Sequence, residues 1–156
     1  MRRLGILVGL VLALTVVLPV SAGGNPGTVS LTQTWHGLTE NVFAVNPCTG
    51  NEVPVTLTSY GVNHVTFFTN SPEYHFTLTD MSSFTFTDAG VTYTGHGGFS
   101  YTENSNERNQ NFTYTFEGQG RGSDGSHISI SEKAHLTLNA VGVVTVSFDI
   151  VSASCR

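Results

Sequence analysis

The sequence is short of charged residues, and the charge that it has is mostly negative. Charged side chains make up 11% of the 156 residues, with 11 acidic residues against 6 basic ones. Because a negative protein repels a phosphate backbone, this balance argues against a nucleic-acid partner. Thr, Ser, Asn and Gly are abundant instead, as in many β-rich secreted proteins. Ten phenylalanines and five tyrosines argue against disorder.

Familiar catalytic and metal-binding motifs are also missing. The sequence has no Ser-His-Asp order, GxSxG, HExxH or phosphate-cradling loop, and no helix pattern follows the glycine-rich run at 118–122. Six histidines are present, but none are spaced as HxH or HxxxH. His64 and His96 would lie about two strand spacings apart, roughly 10 Å, which is too far to share one ion. We therefore expect no metal site and no cofactor.

Long apolar runs are absent after the first 22 residues. Those residues carry two arginines, an apolar run over 4–18 and the small-residue site Val20-Ser21-Ala22, a pattern typical of a secretory signal peptide. The run is shorter than the roughly 20 residues of a membrane span, although an uncleaved N-terminal anchor is the alternative. We predict a signal peptide over 1–22, secretion to the bacterial cell exterior, and no membrane span in the mature chain.

The predicted mature chain, 23–156, has the size of a single all-β domain. Its 134 residues can bury one hydrophobic core. Without Arg2 and Arg3 it keeps 4 basic residues against 11 acidic ones, a net charge of −7. No internal repeat or linker divides it. The sequence does not set the oligomeric state.

Only two cysteines occur, and their positions predict one disulfide. Cys48 lies in the turn signal NPCTG, ahead of an apolar β-branched run, and Cys155 lies next to the last residue. Two cysteines in an exported chain usually pair with each other. A bond between them would tie the start of the domain to its last strand. Closing a loop of about 100 residues is worth at most roughly 4.7 kcal/mol.

The segment around Cys48 resembles a family of secreted bacterial all-β proteins with an NPCTGE-type motif. The resemblance covers roughly residues 43 to 100, and the residues that carry it are the run Asn46-Pro47-Cys48-Thr49-Gly50, then Val55-Thr56-Leu57-Thr58, Gly61 and His64. Family members have Glu directly after the glycine, whereas Asn51 precedes Glu52 here. The resemblance implies secretion and a β fold, and it implies no activity, substrate or catalytic residue.

From residue 53 onward, apolar residues alternate with Thr and Ser, the pattern of half-buried strands. The pattern predicts strands over 30–36, 40–45, 53–59, 63–69, 74–87, 91–104, 111–122, 127–138 and 143–154. Residues 25–45 form either a first strand or a cap over one end of the fold. Long strands joined by short hairpins favour closure, because no helix covers an open edge. We predict an all-β fold, an antiparallel up-and-down β-barrel of about eight strands, with a two-sheet β-sandwich as the alternative.

Matching apolar residues across the hairpins predicts the strand registers. Around Asp88-Ala89-Gly90 the expected pair is Phe86 with Val91. A three-residue loop over 124–126 pairs Phe116 with Ala134, and the last hairpin pairs Ala134 with Phe148. Glu117, Lys133 and Asp149 would then form an ion trio on the surface across three strands. Exposed ion pairs contribute at most about 1 kcal/mol each, so the trio would specify register rather than stability.

Several polar residues and glycines share the apolar face, and they are the candidate ligand-binding residues: Asn63, Asp80, Ser82, Gly97, Gly118 and Glu132. The predicted registers place all but Ser82 in one row, so that two carboxylates flank a strip without side chains. An inward carboxylate costs several kcal/mol unless it is paired or solvated, and a glycine weakens a strand. The alternatives are a solvated barrel mouth and glycines that make room for bulky neighbours.

Three functions fit these features. The leading hypothesis is a secreted binding module whose barrel interior holds a small, largely apolar ligand. A second is an isomerase-like or cyclase-like enzyme in which Asp80 or Glu132 acts as a general acid or base, suggested by architecture alone. A third is a non-catalytic envelope or extracellular matrix protein that binds a polymer, or its own copies, through its outer face or an unpaired edge strand.

Overall fold

The computed structural model describes residues 27–156, so the predicted signal peptide at 1–22 lies outside the described residues. Seven β-strands follow one another: β1 (Thr28–Val45), β2 (Glu52–Phe68), β3 (Tyr74–Asp88), β4 (Val91–Ser105), β5 (Asn109–Gly122), β6 (His127–Asn139) and β7 (Val144–Cys155). Between residues 27 and 156, the structure has no helix of the length and apolar character that a membrane crossing requires.

The strands form one antiparallel sheet in sequence order, each pairing with the next along the chain. The prediction of an all-β antiparallel fold is therefore confirmed. Seven strands replace the nine predicted segments because the first four segments merge into two strands. A bulge between His36 and Leu38 carries β1 through Gly37, whose φ is 67°, and β2 continues through Gly61 without a break.

β1 and β7 are the edges of the sheet, and in the described chain they do not pair with each other. The seven-stranded sheet is thus not closed by hydrogen bonds. The closed barrel and the two-sheet sandwich of the sequence analysis remain predictions.

The sheet is strongly rolled at one end. The Cys48–Cys155 disulfide predicted from the sequence is present, with Cα atoms 5.0 Å apart. Cys48 lies between β1 and β2, and Cys155 ends β7. In a flat sheet β2 and β7 would lie five spacings of about 4.8 Å apart, roughly 24 Å. The two cysteines can meet only because the strands curl around at this end, and such a bond is typical of an oxidising compartment outside the cytoplasm.

The hydrophobic core fills the rolled end. Its buried residues come from four strands: Val53, Val55, Phe86, Tyr93 and Ile128. Phe86 and Tyr93 stack with ring centroids 4.8 Å apart, and Cys48 packs against the cluster. We call the side of the sheet that carries this core the inner face, and the opposite side, rich in Thr, Ser and His, the outer face.

The turn over 46–51 is built around the buried side chains of Asn46 and Asp88. Asn46 accepts a hydrogen bond from the Cys48 backbone N–H at 3.0 Å and donates one to the Asp88 carboxylate at 2.8 Å. Thr49 and Asn51 donate side-chain hydrogen bonds to the same carboxylate. The NPCTG motif therefore orients Cys48 toward its partner and fastens the turn to the end of β3.

The same contacts make the stability of the protein depend on pH. Hydrogen bonds from Thr49, Asn51 and Asn46 hold the pKa of Asp88 below its ordinary value. The folded protein then binds fewer protons than the unfolded chain, so Asp88 contributes stability above about pH 4 that is lost as the pH falls through the folded-state pKa. We expect Asp88→Asn to flatten the acid side of the stability curve, measured by urea unfolding between about pH 2 and pH 6.

Asp80 provides a control, because its pKa is shifted in the opposite direction to that of Asp88. Burial raises the pKa of the Asp80 carboxyl, so its contribution to stability is present at low pH and is lost as the pH rises. We expect Asp80→Asn to steepen the same curve. An Asp88→Asn curve parallel to that of the wild type would show that the turn does not depend on the carboxylate.

The hairpin between β3 and β4 differs from its predicted register by two residues. Phe86 lies opposite Tyr93 rather than Val91. The chain turns at Ala89 and Gly90, whose φ values of 50° and 81° match a two-residue hairpin turn of type I′. A two-residue shift leaves every side chain on its predicted face.

The hairpin between β5 and β6 is shifted in the same way. Phe116 lies opposite Glu132 rather than Ala134. The Gly122 N–H donates to the Ser126 carbonyl, so the loop spans 123–125 instead of 124–126, and Gly125 takes a φ of 91°. Glycine at the third loop position is what a three-residue hairpin loop requires.

The last hairpin is shifted by one residue, and this overturns the predicted ion trio. Ala134 lies opposite Asp149 rather than Phe148, and the register changes again between Thr137 and Leu138. A one-residue shift exchanges the two faces. Asp149 therefore lies on the inner face, while Lys133 lies opposite Ile150 on the outer face, so the trio does not form.

Candidate functional site

All six candidate ligand-binding residues lie on the inner face, in three neighbouring rows rather than in one. The first row contains Ser82, Gly97 and Gly118, the second contains Asp80 and Glu132, and the third contains Asn63. The predicted pairing of Gly97 with Gly118 is confirmed. The prediction of a single row was wrong because the hairpin between β3 and β4 and the hairpin between β5 and β6 both have shifted registers.

Gly97 and Gly118 make room for an aromatic ring. A Cβ on Gly97 would lie 2.9 Å from the Glu117 carbonyl oxygen and 3.4 Å from a ring carbon of Phe116, and a Cβ on Gly118 would lie 3.2 Å from the same ring. The strip without side chains is therefore covered by Phe116. This supports the alternative in which the inner-face glycines accommodate bulky neighbours.

Asp80 is held by a residue of the edge strand β1 that lies in the same row of the inner face. The indole N–H of Trp35 on β1 donates to Asp80 Oδ2 at 3.1 Å and to Ser59 Oγ at 3.0 Å. The indole ring lies over Gly61, where any Cβ would come within 2.0 Å of it. Burial raises the pKa of Asp80, and the bonds from Ser59 and Trp35 oppose this shift. Asp80 is therefore a fixed hydrogen-bond acceptor on the inner face.

Glu132 is the second carboxylate of this row and the more deeply buried one, with 9% of its surface exposed. The Tyr114 hydroxyl donates to its Oε1. Burial, that hydrogen bond and the negative charge of Glu132 together raise the pKa of Tyr114 above its ordinary value, so the phenol stays protonated and keeps donating. A carboxylate this buried needs partners, and Tyr114 is its one hydrogen-bond donor in the described chain.

Two aromatic rings separate the carboxylates. Phe99 lies opposite Asp80, Phe116 lies opposite Phe99, and Glu132 lies opposite Phe116. Both rings are only half-buried. Because Asp80 and Glu132 lie three strand spacings apart with these rings between them, they do not form an acid–base pair; they flank an aromatic floor.

Asn63 lies on β2 in the next row of the inner face, opposite Leu78 of β3. Only 8% of its surface is exposed, and between residues 27 and 156 no hydrogen bond of its carboxamide is found. No side-chain polar atom in that range is fully buried without a partner, so the carboxamide still reaches solvent. A buried amide that makes no bond within the protein is available to a ligand.

A polar cluster lies near the open end of the inner face. Glu103 accepts hydrogen bonds from Tyr74, from Tyr101 at 2.8 Å, and from Gln110 at 2.7 Å. Burial and the bond to Glu103 raise the pKa of Tyr101, so it too remains a donor. With three donors Glu103 is satisfied within the protein, and we assign it a structural role.

Two of the histidines are engaged by neighbouring threonines. His64 and His135 are each bonded at both ring nitrogens by threonine hydroxyls, at 2.7 Å and 3.1 Å in each case. The described residues contain no group of three or more His, Cys, Asp or Glu side chains that could hold a metal ion.

A shallow groove of about 380 Å³ lies over β3, β4 and β5 and includes outer-face residues around Gly98. Met81, His96 and Glu117 line it from the outer face. Three of the candidate ligand-binding residues also line it: Asp80, Gly97 and Gly118. It opens where Gly98 lacks a side chain between longer neighbours. The sequence analysis expected open space on the opposite, apolar face.

Trp35 and Tyr114 are the site residues that the sequence analysis missed. Trp35 lies in the segment that could be assigned either to a strand or to a cap, and Gly61 looked like the break between two strands. The sequence signal for this contact was the single tryptophan together with a glycine in the middle of a strand. A glycine at such a position often marks a site where another part of the molecule approaches the strand closely. The contact between Trp35 and Asp80 joins residues 45 positions apart, which no local pattern reveals.

Comparisons with protein-family models, with curated proteins and with solved structures found no match for this chain.

Proposed function

We propose that this protein is a secreted binding module that holds a small, largely apolar ligand against the open half of its inner face. The observation that supports this most is the row in which the half-buried rings of Phe99 and Phe116 lie between Asp80 and Glu132. Apolar surface with a few fixed polar groups is the usual composition of a small-molecule site. The disulfide fits secretion, since it requires an oxidising compartment.

A ligand held in this way must be partly enclosed by the sheet, and a fully closed barrel is one fold that would enclose it. The disulfide and the core hold one end of the sheet rolled. The core fills the inner face at that end, and the inner face is open at the opposite end. We propose a barrel-like container with its mouth at the hairpins between β2 and β3 and between β4 and β5. Binding at this face does not require β1 and β7 to pair.

Catalysis by a carboxylate is less well supported. The raised pKa of Asp80 favours a proton-transfer role. However, Trp35 and Ser59 already engage Asp80, and Glu132 lies three strands away. We therefore propose binding rather than isomerisation or cyclisation. A role as an envelope or matrix protein is a further candidate, because the outer face is rich in threonine.

The binding proposal is tested with two neutral apolar probes, Nile red and decanol. Trp35 is the only tryptophan in the chain and lies on the inner face, so its fluorescence reports decanol binding directly, while Nile red brightens in apolar surroundings. We expect saturable binding of both probes. We expect Ser82→Phe, which adds a ring to the inner face, to weaken both at least about tenfold by occupying the site.

Ser83→Phe is the matched control. Ser83 is the next residue on β3, is exposed, and points to the outer face, so the same ring should leave both affinities within about twofold. Circular dichroism checks that both variants fold. The proposal fails if neither probe saturates, or if the two variants weaken binding equally.

A further inference from the structure

The acidic residues of this protein are unevenly distributed between the two faces. The inner face carries six carboxylates in the described strands: Glu40, Asp80, Asp88, Glu103, Glu132 and Asp149. The four basic residues between 27 and 156 all lie elsewhere. Arg121 and Lys133 are on the outer face, Arg108 is in the loop between β4 and β5, and Arg156 ends the chain. No Lys, Arg or His of the described strands shares the inner face, so its carboxylates have no cationic partner there.

Two largely buried polar groups on this face are not fully bonded within the described chain, and their unbonded atoms reach solvent. Glu132 is 9% exposed and receives a hydrogen bond from Tyr114 alone. Asn63 is 8% exposed, and no hydrogen bond of its carboxamide is found within the described chain. Buried polar groups are normally satisfied, and a buried carboxylate without a positive partner is costly. Glu132 borders the floor formed by Phe99 and Phe116, whereas Asn63 lies in the next row on β2. Both groups can complete their bonding with a ligand.

We propose that the ligand of the inner face is an organic cation, an ammonium group attached to an apolar body. This inference rests on the proposed binding function. The ammonium would donate hydrogen bonds to Glu132, whose one donor in the described chain is Tyr114, and the apolar body would cover the two phenylalanine rings. Aromatic faces also attract cations through their negative quadrupole, most strongly where water is displaced. An anionic ligand of the same size would meet uncompensated negative charge.

The test compares three ligands with one alkyl chain and different head groups: decylammonium, decanol and decanoate, all below their micelle concentrations. Calorimetry gives the affinities, and Trp35 fluorescence gives an independent reading. We expect decylammonium to bind about tenfold or more tightly than decanol, and decanoate to bind most weakly, because a hydrogen bond to a charged group is stronger than one between neutral groups. The preference for the cation should shrink as salt is raised.

Glu132→Gln separates this inference from general attraction to an acidic protein. We expect it to abolish most of the preference for decylammonium while changing the affinity for decanol by less than about twofold. Glu117→Gln is the matched control, since it removes the same charge from the exposed outer face of β5. It should leave the preference intact, and an equal loss in both variants would refute a specific site.

The outcomes distinguish the two proposals. If decanol and Nile red bind but decylammonium shows no advantage, the cation inference is wrong and the binding function stands. If none of the probes binds to the wild type, both proposals fail. Urea unfolding and circular dichroism of Glu132→Gln show whether the variant retains the wild-type fold. Asp80→Asn removes an inner-face charge three strands away and should keep most of the preference for decylammonium.

Discussion

Replacing Cys48 and Cys155 together by serine is expected to lower the free energy of unfolding by about 3–4 kcal/mol and the melting temperature by roughly 10–15 °C. The bond joins residues 107 positions apart, so its loss returns a large loop entropy to the unfolded chain. It also removes the contact that holds β7 against the turn before β2. Urea unfolding followed by Trp35 fluorescence and by circular dichroism measures the change.

Reduction of the wild type provides the control for this prediction. Dithiothreitol should bring the wild type to the stability of the double serine variant and should leave that variant unchanged. If the oxidised and reduced proteins unfold at the same urea concentration, the disulfide does not hold the rolled end together.

Gly95→Ala is expected to destabilise the protein by about 3 kcal/mol or to prevent folding. A Cβ at this position would lie 2.2 Å from the carbonyl oxygen of Gln119, 2.4 Å from the ring of Phe84 and 2.7 Å from the Cα of Gly120. Two of these atoms belong to the backbone of β5, so no side-chain rotation can relieve the clash. Phe84 also packs against the core, and displacing it would disturb the rolled end.

Gly98→Ala is the matched control on the same strand. Gly98 lies on the outer face, and a Cβ there would meet only Met81 Sδ at 3.5 Å and the Asp80 carbonyl oxygen at 3.9 Å, both ordinary contacts. Because glycine in a strand costs about 0.5–1 kcal/mol relative to alanine, Gly98→Ala should be neutral or slightly stabilising. Chemical denaturation of the two variants side by side tests whether contact at the inner face, rather than strand propensity, sets the cost.

The faces of the strands could be read from the sequence, whereas the rows could not. Alternation with a period of two assigns each residue to a face, and a register shift of two residues preserves that assignment. Asp80, Gly97 and Glu132 therefore lie on the inner face as predicted, although Asp80 and Glu132 share a row with Phe99 and Phe116 rather than with Gly97 and Gly118. The one hairpin that shifted by a single residue is also the one in which the predicted face of Asp149 was wrong.

Hairpin registers depended on contacts that lie far apart in the sequence. Asp88 ends β3 where Asn46, Thr49 and Asn51 bind its carboxylate, and the tight turn at Ala89 follows directly. Matching apolar residues across the strands ignored this anchor, so the predicted turn was displaced. The candidate site inherited the error, because the positions of its carboxylates relative to the glycines depend on two neighbouring hairpins.

The sequence by itself determined the all-β antiparallel class, the pairing of Cys48 with Cys155, and the face on which the candidate site residues lie. These properties follow from local alternation and from the presence of only two cysteines. The tertiary structure decided the number of strands, the rows, and the contact of Trp35 with Asp80 over Gly61. A bulge, a turn type or a ring packed over a glycine depends on atoms brought together from distant parts of the chain. The register shifts that such contacts cause leave the two-residue alternation along each strand unchanged, so the alternation could not reveal them.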